Sequence, residues 1–109
     1  MTLLLGLDGD HRLLGDGASI VIGRAPESDI VVAKPWVSRR HATVAVRDGR
    51  AQLTDHSSYG SYLWMDGAVE LVARRETVLV TGAGRISPGA SAASPEAVLI
   101  LFEVVVDQR

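Results

Sequence analysis

The chain is 109 residues long, enough for one compact domain and too short for two with separate full-sized cores. Apolar residues make up 47% and charged residues 22%, which excludes a disordered or fibrous chain, and the absence of cysteine excludes a disulfide framework, a thiolate zinc site and a cysteine nucleophile. A formal charge of −2 excludes a broad polyanion-binding surface, which needs a large excess of Lys and Arg, so any anion site has to be local.

Runs of Val, Ile, Leu and Thr recur along the chain between Gly, Asp, Ser and Pro clusters, the pattern of an all-β sandwich or barrel with little or no helix. In chain order the runs predict strands near Thr2–Leu7, Arg12–Leu14, Ser19–Ile22, Ile30–Val32, Ala42–Arg47 and Arg50–Asp55. They continue near Tyr62–Met65, Val69–Val72, Thr77–Val80, Arg85–Ser87 and Ala97–Val106. Thr2-Leu3-Leu4-Leu5 has no basic residue before it and reads as strand rather than secretion signal. Asp8-Gly9, Asp48-Gly49 and Asp66-Gly67 are hairpin signals, because Asp-Gly readily takes the positive φ angles of tight turns. The small, proline-bounded stretch from Ser87 to Pro95 reads as a surface loop. Val98–Val106 is continuously apolar except for Glu103, which predicts a strand buried on both faces or alternating weakly. At nine residues it is well short of the ~20 that span a bilayer as a helix. The chain is therefore read as a single, cytoplasmic domain over residues 1–109, with no membrane or nucleic-acid partner.

Ten of the eleven basic residues are Arg, and only Lys34 is lysine. From Arg24 to Arg50 the net charge is +3, against −5 for the remainder. Three polar segments follow or precede strands there and beyond: Gly23-Arg24, Val37-Ser38-Arg39-Arg40-His41-Ala42, and Asp55-His56-Ser57-Ser58-Tyr59-Gly60-Ser61. In a sandwich the loops of one end converge, and these would gather guanidinium groups, hydroxyls and glycine-freed amides, donors suited to a highly charged oxyanion.

Taken in order, Gly23-Arg24, Ser28-Asp29-Ile30, Ser38-Arg39-Arg40-His41, Ser57-Ser58-Tyr59-Gly60-Ser61 and Asp66-Gly67 resemble the signature of the forkhead-associated (FHA) domain. The resemblance implies a β-sandwich of about eleven mostly antiparallel strands. It also implies a non-catalytic module without cofactor that binds a phosphothreonine-containing protein or peptide through the loops of one end. Carried over by position, the phosphopeptide-binding residues are Arg24, Ser38, Arg39, Ser58 and Tyr59, with Gly23, His41 and Gly60 shaping the loops. Tyr59 stands where the family has Asn, and a phenol cannot present the paired donor and acceptor of an amide. The second reading is accordingly a degenerate FHA domain, a phospho-independent interaction or oligomerisation module, as a monomer or weak dimer. Residues 67–89, including Arg74-Arg75-Glu76, are similar to the end of FHA modules fused to bacterial class III adenylate/guanylate cyclases, which implies a regulatory domain excised from a longer parent chain. Without that likeness, Arg74-Arg75-Glu76 reads as a solvated turn.

Ser38, His41 and Asp55 are the residue types of a hydrolytic triad, but Ser-x-x-His places two of them on one short loop and no Gly-x-Ser-x-Gly elbow exposes a nucleophile. His11, His41 and His56 lack metal-ligand spacing, so no metal is expected. Trp36 packs either in the sandwich or against a bound peptide, and Asp29 either pairs with an Arg or caps the turn after Pro26.

Overall fold

A computed structural model describes residues 1–106. Eleven strands follow in chain order: β1 (Thr2–Leu7), β2 (Asp10–Leu14), β3 (Ser19–Gly23), β4 (Ile30–Val31), β5 (Ala42–Arg47) and β6 (Arg50–Asp55). After these come β7 (Ser61–Met65), β8 (Leu71–Ala73), β9 (Thr77–Val80), β10 (Ala83–Pro88) and β11 (Ile100–Val105). No helix forms among the described residues, and so none is long and apolar enough to cross a membrane.

The strands make two sheets, β2-β1-β11-β10-β7-β8 and β4-β3-β5-β6-β9. Every pairing is antiparallel except the short β3–β4 pair. Alternation along each strand sends one set of side chains inward. Leu3, Leu5, Leu63, Ile86, Ile100 and Phe102 from the first sheet meet Ile20, Ile22, Val44, Val46, Leu53 and Val80 from the second in one buried cluster. β1 pairs with β11 from Thr2↔Val105 to Gly6↔Leu101, so the first and last strands lie side by side.

Two of the Asp-Gly signals form two-residue hairpins. Asp8 and Gly9 (φ 50° and 85°) join β1 to β2, and Asp48 and Gly49 (φ 53° and 71°) join β5 to β6, both central residues being left-handed as a type I′ turn requires. Asp66-Gly67 behaves differently. The β7–β8 register ends at Leu63↔Leu71, so these residues turn within a wider loop, and the predicted strand at Val69–Val72 forms instead at Leu71–Ala73. Val69 has no inward position to fill there and stands exposed.

β11 also departs from a strand buried on both faces. Ile100 and Phe102 are buried while Leu101 and Val105 are exposed, because this sheet has the second sheet on one side only. The start of the predicted Ala97–Val106 segment belongs to the loop after β10, which is tied down by the Glu70 carboxylate accepting from Ser91 Oγ (2.8 Å) and the Ala92 amide (2.8 Å).

Leu53 is fully buried between the sheets, paired with Val44 and Val78 on its neighbours. Leu53→Ala is expected to lower stability by about 2–5 kcal/mol without changing the fold, measured as the loss in unfolding free energy in urea.

Candidate functional site

Three loops converge at one end of the sandwich: the stretch after β3, the segment 32–41 before β5, and the segment 56–60 between β6 and β7. Their convergence is enforced by backbone pairing. The Arg24 amide donates to Ser38 O (2.9 Å), the Ala25 amide to Arg39 O (3.1 Å) and the His41 amide to Ile22 O (2.9 Å), continuing the end of β3 along the incoming segment. A Cβ at Gly23 would collide with the Arg39 carbonyl and crowd Ser28 Oγ at 2.9 Å, so glycine is required for this approach.

His41 and Asp55 lock the third loop. His41 is fully buried; its Nδ1 accepts from the Ser38 amide (3.0 Å), and its Nε2 lies 2.8 Å from Gly60 O. An amide can only donate and a carbonyl can only accept, so the ring is the neutral tautomer with the proton on Nε2. Burial lowers its pKa from the ordinary value, outweighing the Gly60 carbonyl and the Asp55 charge, which pull the other way. Asp55, at the end of β6, accepts Ser57 Oγ (2.7 Å) and Ser61 Oγ (2.7 Å) on Oδ1, and the amides of Ser57 (3.2 Å) and Arg75 (2.9 Å) on Oδ2. Burial alone would raise this carboxyl, but the Arg75 amide, the two hydroxyls and the Ser57 amide hold it below the ordinary carboxylate value. Ser57 Oγ in turn accepts from the Gly60 amide (2.7 Å). Gly60 sits at φ +90°, and a Cβ there would press on Ala73 O at 3.2 Å.

On this frame the structure brings Arg24, Ser38 and Ser58 together. Arg24 is exposed and steered by a bond from its Nε to Val37 O (2.9 Å), and among the described residues no carboxylate pairs with it. Ser38 Oγ accepts from the Ser58 amide (3.3 Å), which leaves its own hydrogen to donate elsewhere. Tyr59 projects at 59% exposure. Arg39 is set apart: its guanidinium lies 3.5 Å from Glu27 on the flank of the loop, an exposed pair of the weak kind that a stronger anion can displace.

Sequence reasoning treated Arg74-Arg75-Glu76 as a solvated turn or a family-specific ending. In the fold it is the crossover from β8 to β9, and Arg75 (φ +52°) docks it under the recognition loop, its amide on Asp55 and its Nε on Ser57 O (3.3 Å). Asp55, Ser57 and Ser61 were not singled out as loop-shaping residues; the polar run flanking Gly60 was the available signal. Asp29 caps backbone, accepting from the Val21 amide (2.8 Å) on its carboxylate, while Arg12 reaches its carbonyl (2.6 Å). Trp36 packs against Gly89 beside the core. As for the triad types, both His41 ring nitrogens are engaged with backbone, so the imidazole is not positioned to take a proton from Ser38 Oγ. Among the described residues, no group of three or more His, Asp or Glu is placed to hold a metal ion.

Because His41 is neutral in the fold with a lowered pKa, the unfolded chain takes up a proton first as pH falls. Stability is therefore expected to be complete above about pH 6.5, to fall below it, and to fall again below about pH 3.8 as Asp55 protonates. In urea titrations across pH, His41→Leu should be less stable than wild type at pH 8 yet lose less between pH 7 and 5. Gly23→Ala should destabilise by about 1–3 kcal/mol in the same measurement, because backbone has to move.

The sequence profile of the family described as FHA domain matches residues 20–82. The fold is similar to that of FHA-1 of Mycobacterium tuberculosis Rv1747, at 28% identity and TM-score 0.69 over 94% of this chain and 95% of that one. It is similar to the MEK1 FHA domain solved with a HOP1 phosphothreonine peptide, at 21% identity and TM-score 0.66 over 94% and 95%. Mycobacterium tuberculosis EmbR, solved with a low-affinity phosphopeptide, aligns at 21% identity and TM-score 0.68 over 99% of this chain and 26% of that one. Among curated proteins no relative matches. The family profile spans the three convergent loops and most of the strands that hold them, and this chain belongs to the FHA domain family.

Proposed function

We propose that the domain is a phosphothreonine-peptide-binding signalling module that docks a phosphorylated partner, or a phosphorylated segment of its own parent protein, in the cytoplasm. The observation that carries this reading is the placing of the Arg24 guanidinium, which has no carboxylate partner among the described residues, and the Ser38 hydroxyl on adjoining loops, joined backbone to backbone at 2.9 Å. A phosphothreonine carries about −1.5 to −2 charge and three acceptor oxygens at neutral pH. Arg24 supplies bidentate donors, Ser38 and Ser58 supply hydroxyls, and Arg39 is within the same loop to leave Glu27 for the stronger anion. Two of the similar structures were solved with phosphopeptides, which supports a phosphopeptide as the ligand class.

Tyr59 in place of Asn favours the second reading, a phospho-independent interaction module. Against it, Tyr59 and Arg24 are both exposed and Ser38 is half-buried, none of them enclosed in the core. The role of Tyr59 under the first reading is to alter peptide selectivity rather than phosphate capture. The likeness of residues 67–89 to cyclase-fused modules makes a class III cyclase a possible parent chain in this proposal, although the docking of Arg75 on Asp55 already gives part of that segment a structural role.

Calorimetric titration with matched phosphothreonine and unphosphorylated peptides tests the function. Only the phosphorylated form should bind, more weakly as salt is added, and Arg24→Ala should weaken it by about 10- to 100-fold, the worth of a charged hydrogen bond. Ser38→Ala should weaken it less. Equal affinity for the two peptide forms would move the assignment to the phospho-independent reading.

A further inference from the structure

Arg74-Arg75-Glu76, the crossover from β8 to β9, lies outside the three convergent loops, yet both of its arginine side chains touch one of them. The Arg74 stem passes Gly60, its Cγ 3.4 Å from where a Cβ at that glycine would stand, and Arg75 Nε donates to Ser57 O at 3.3 Å. Both arginines are exposed. Two carboxylates lie close by, and neither neutralises them. Asp55 takes the Arg75 amide rather than its guanidinium, and Glu76 turns its carboxylate back onto the Arg74 amide (3.4 Å). Among the described residues neither arginine is in an ion pair, and the terminal nitrogens of both guanidinium groups are without a hydrogen bond.

The peptide unit between Ser57 and Ser58 links this pair to the Ser38 hydroxyl. Its N–H donates to Ser38 Oγ (3.3 Å) and its carbonyl accepts from Arg75 Nε (3.3 Å). In a trans peptide these two groups point in opposite directions, so Arg75 lies across the peptide plane from Ser38. The bond lengths set Arg75 Nε no more than about 9 Å from Ser38 Oγ. An extended peptide advances roughly 3.3–3.6 Å per residue, so a side chain two or three residues from a phosphothreonine held at Ser38 reaches the crossover. We propose that Arg74 and Arg75 form a second anion subsite, which takes a further oxyanion of the bound segment, an Asp or Glu carboxylate or a second phosphate. The subsite rests on the phosphothreonine reading given above. The two terminal nitrogens of Arg75 form a planar fork that matches two oxygens of either group. Glu76 offsets one of the two positive charges, so a phosphate, with more charge and three acceptor oxygens, gains more here than a carboxylate.

The 109-residue chain is titrated calorimetrically with a phosphothreonine peptide whose other residues are neutral, and with versions carrying one Glu or one phosphoserine at each of the three positions on either side. Affinity is expected to rise at one or two neighbouring positions on one side only, by about 2- to 5-fold for Glu and about tenfold for phosphoserine. That gain, read as the ratio of charged to neutral peptide, should fall toward one in Arg75→Gln and in Arg74→Gln. It should rise in Glu76→Gln, which keeps an acceptor for the Arg74 amide. Arg74→Gln removes no side-chain hydrogen bond and decides the matter if Arg75→Gln loosens the loop. A neutral phosphothreonine peptide that binds, with a gain that is absent, equal at all positions or intact in both arginine variants, overturns the subsite and leaves the phosphothreonine reading standing. If no phosphothreonine peptide binds, both fall.

Discussion

The recognition end depends on one buried carboxylate. Asp55 ends β6 where the chain leaves the second sheet, and its oxygens gather the start of the β6–β7 crossover through Ser57, the start of β7 through Ser61, and the β8–β9 crossover through Arg75. Both connections between the sheets on this side are thereby tied to one atom group. A buried charge is tolerable only when its acceptor capacity is filled, and four donors fill it. His41 extends the lock to the 32–41 segment by bridging the Ser38 amide and the Gly60 carbonyl, which also takes the Gly89 amide at 2.9 Å.

This arrangement separates rigidity from reactivity. The groups that fix the loops are buried and mutually satisfied, while Arg24, Ser58 and Tyr59 are exposed and Ser38 keeps a free hydrogen. It also spends both His41 ring nitrogens on backbone, so the imidazole is not aimed at the Ser38 hydroxyl. The acidic total charge conceals a short basic stretch, +3 between Arg24 and Arg50, that contributes Arg24 and Arg39 to the loop end.

Most strands were legible in the sequence because alternation and Asp-Gly turns are local signals; β5 and β6, with their hairpin, are bounded as the pattern predicts. The errors fall where a strand's limits are set by its neighbour. β8 shifts toward Ala73 because Ser61 and Tyr62 offer partners there, and β11 buries one face because only one sheet covers it. In the site, Arg24, Ser38 and Gly23 were visible as a motif, whereas Arg75 was not, since its contact with Asp55 spans twenty residues and no spacing rule reports it.

By itself the sequence determined the all-β class, the two tight hairpins at Asp8-Gly9 and Asp48-Gly49 and the order of the polar loops, because each follows from side-chain alternation and backbone preference over a few residues. Only the tertiary structure decided which carboxylate carries the loops, that Arg39 rests on Glu27 while Arg24 has no carboxylate partner among the described residues, and which face of the first sheet is left uncovered. Those outcomes depend on which groups meet across the sandwich, and burial and hydrogen-bond satisfaction are settled only when distant strands come together.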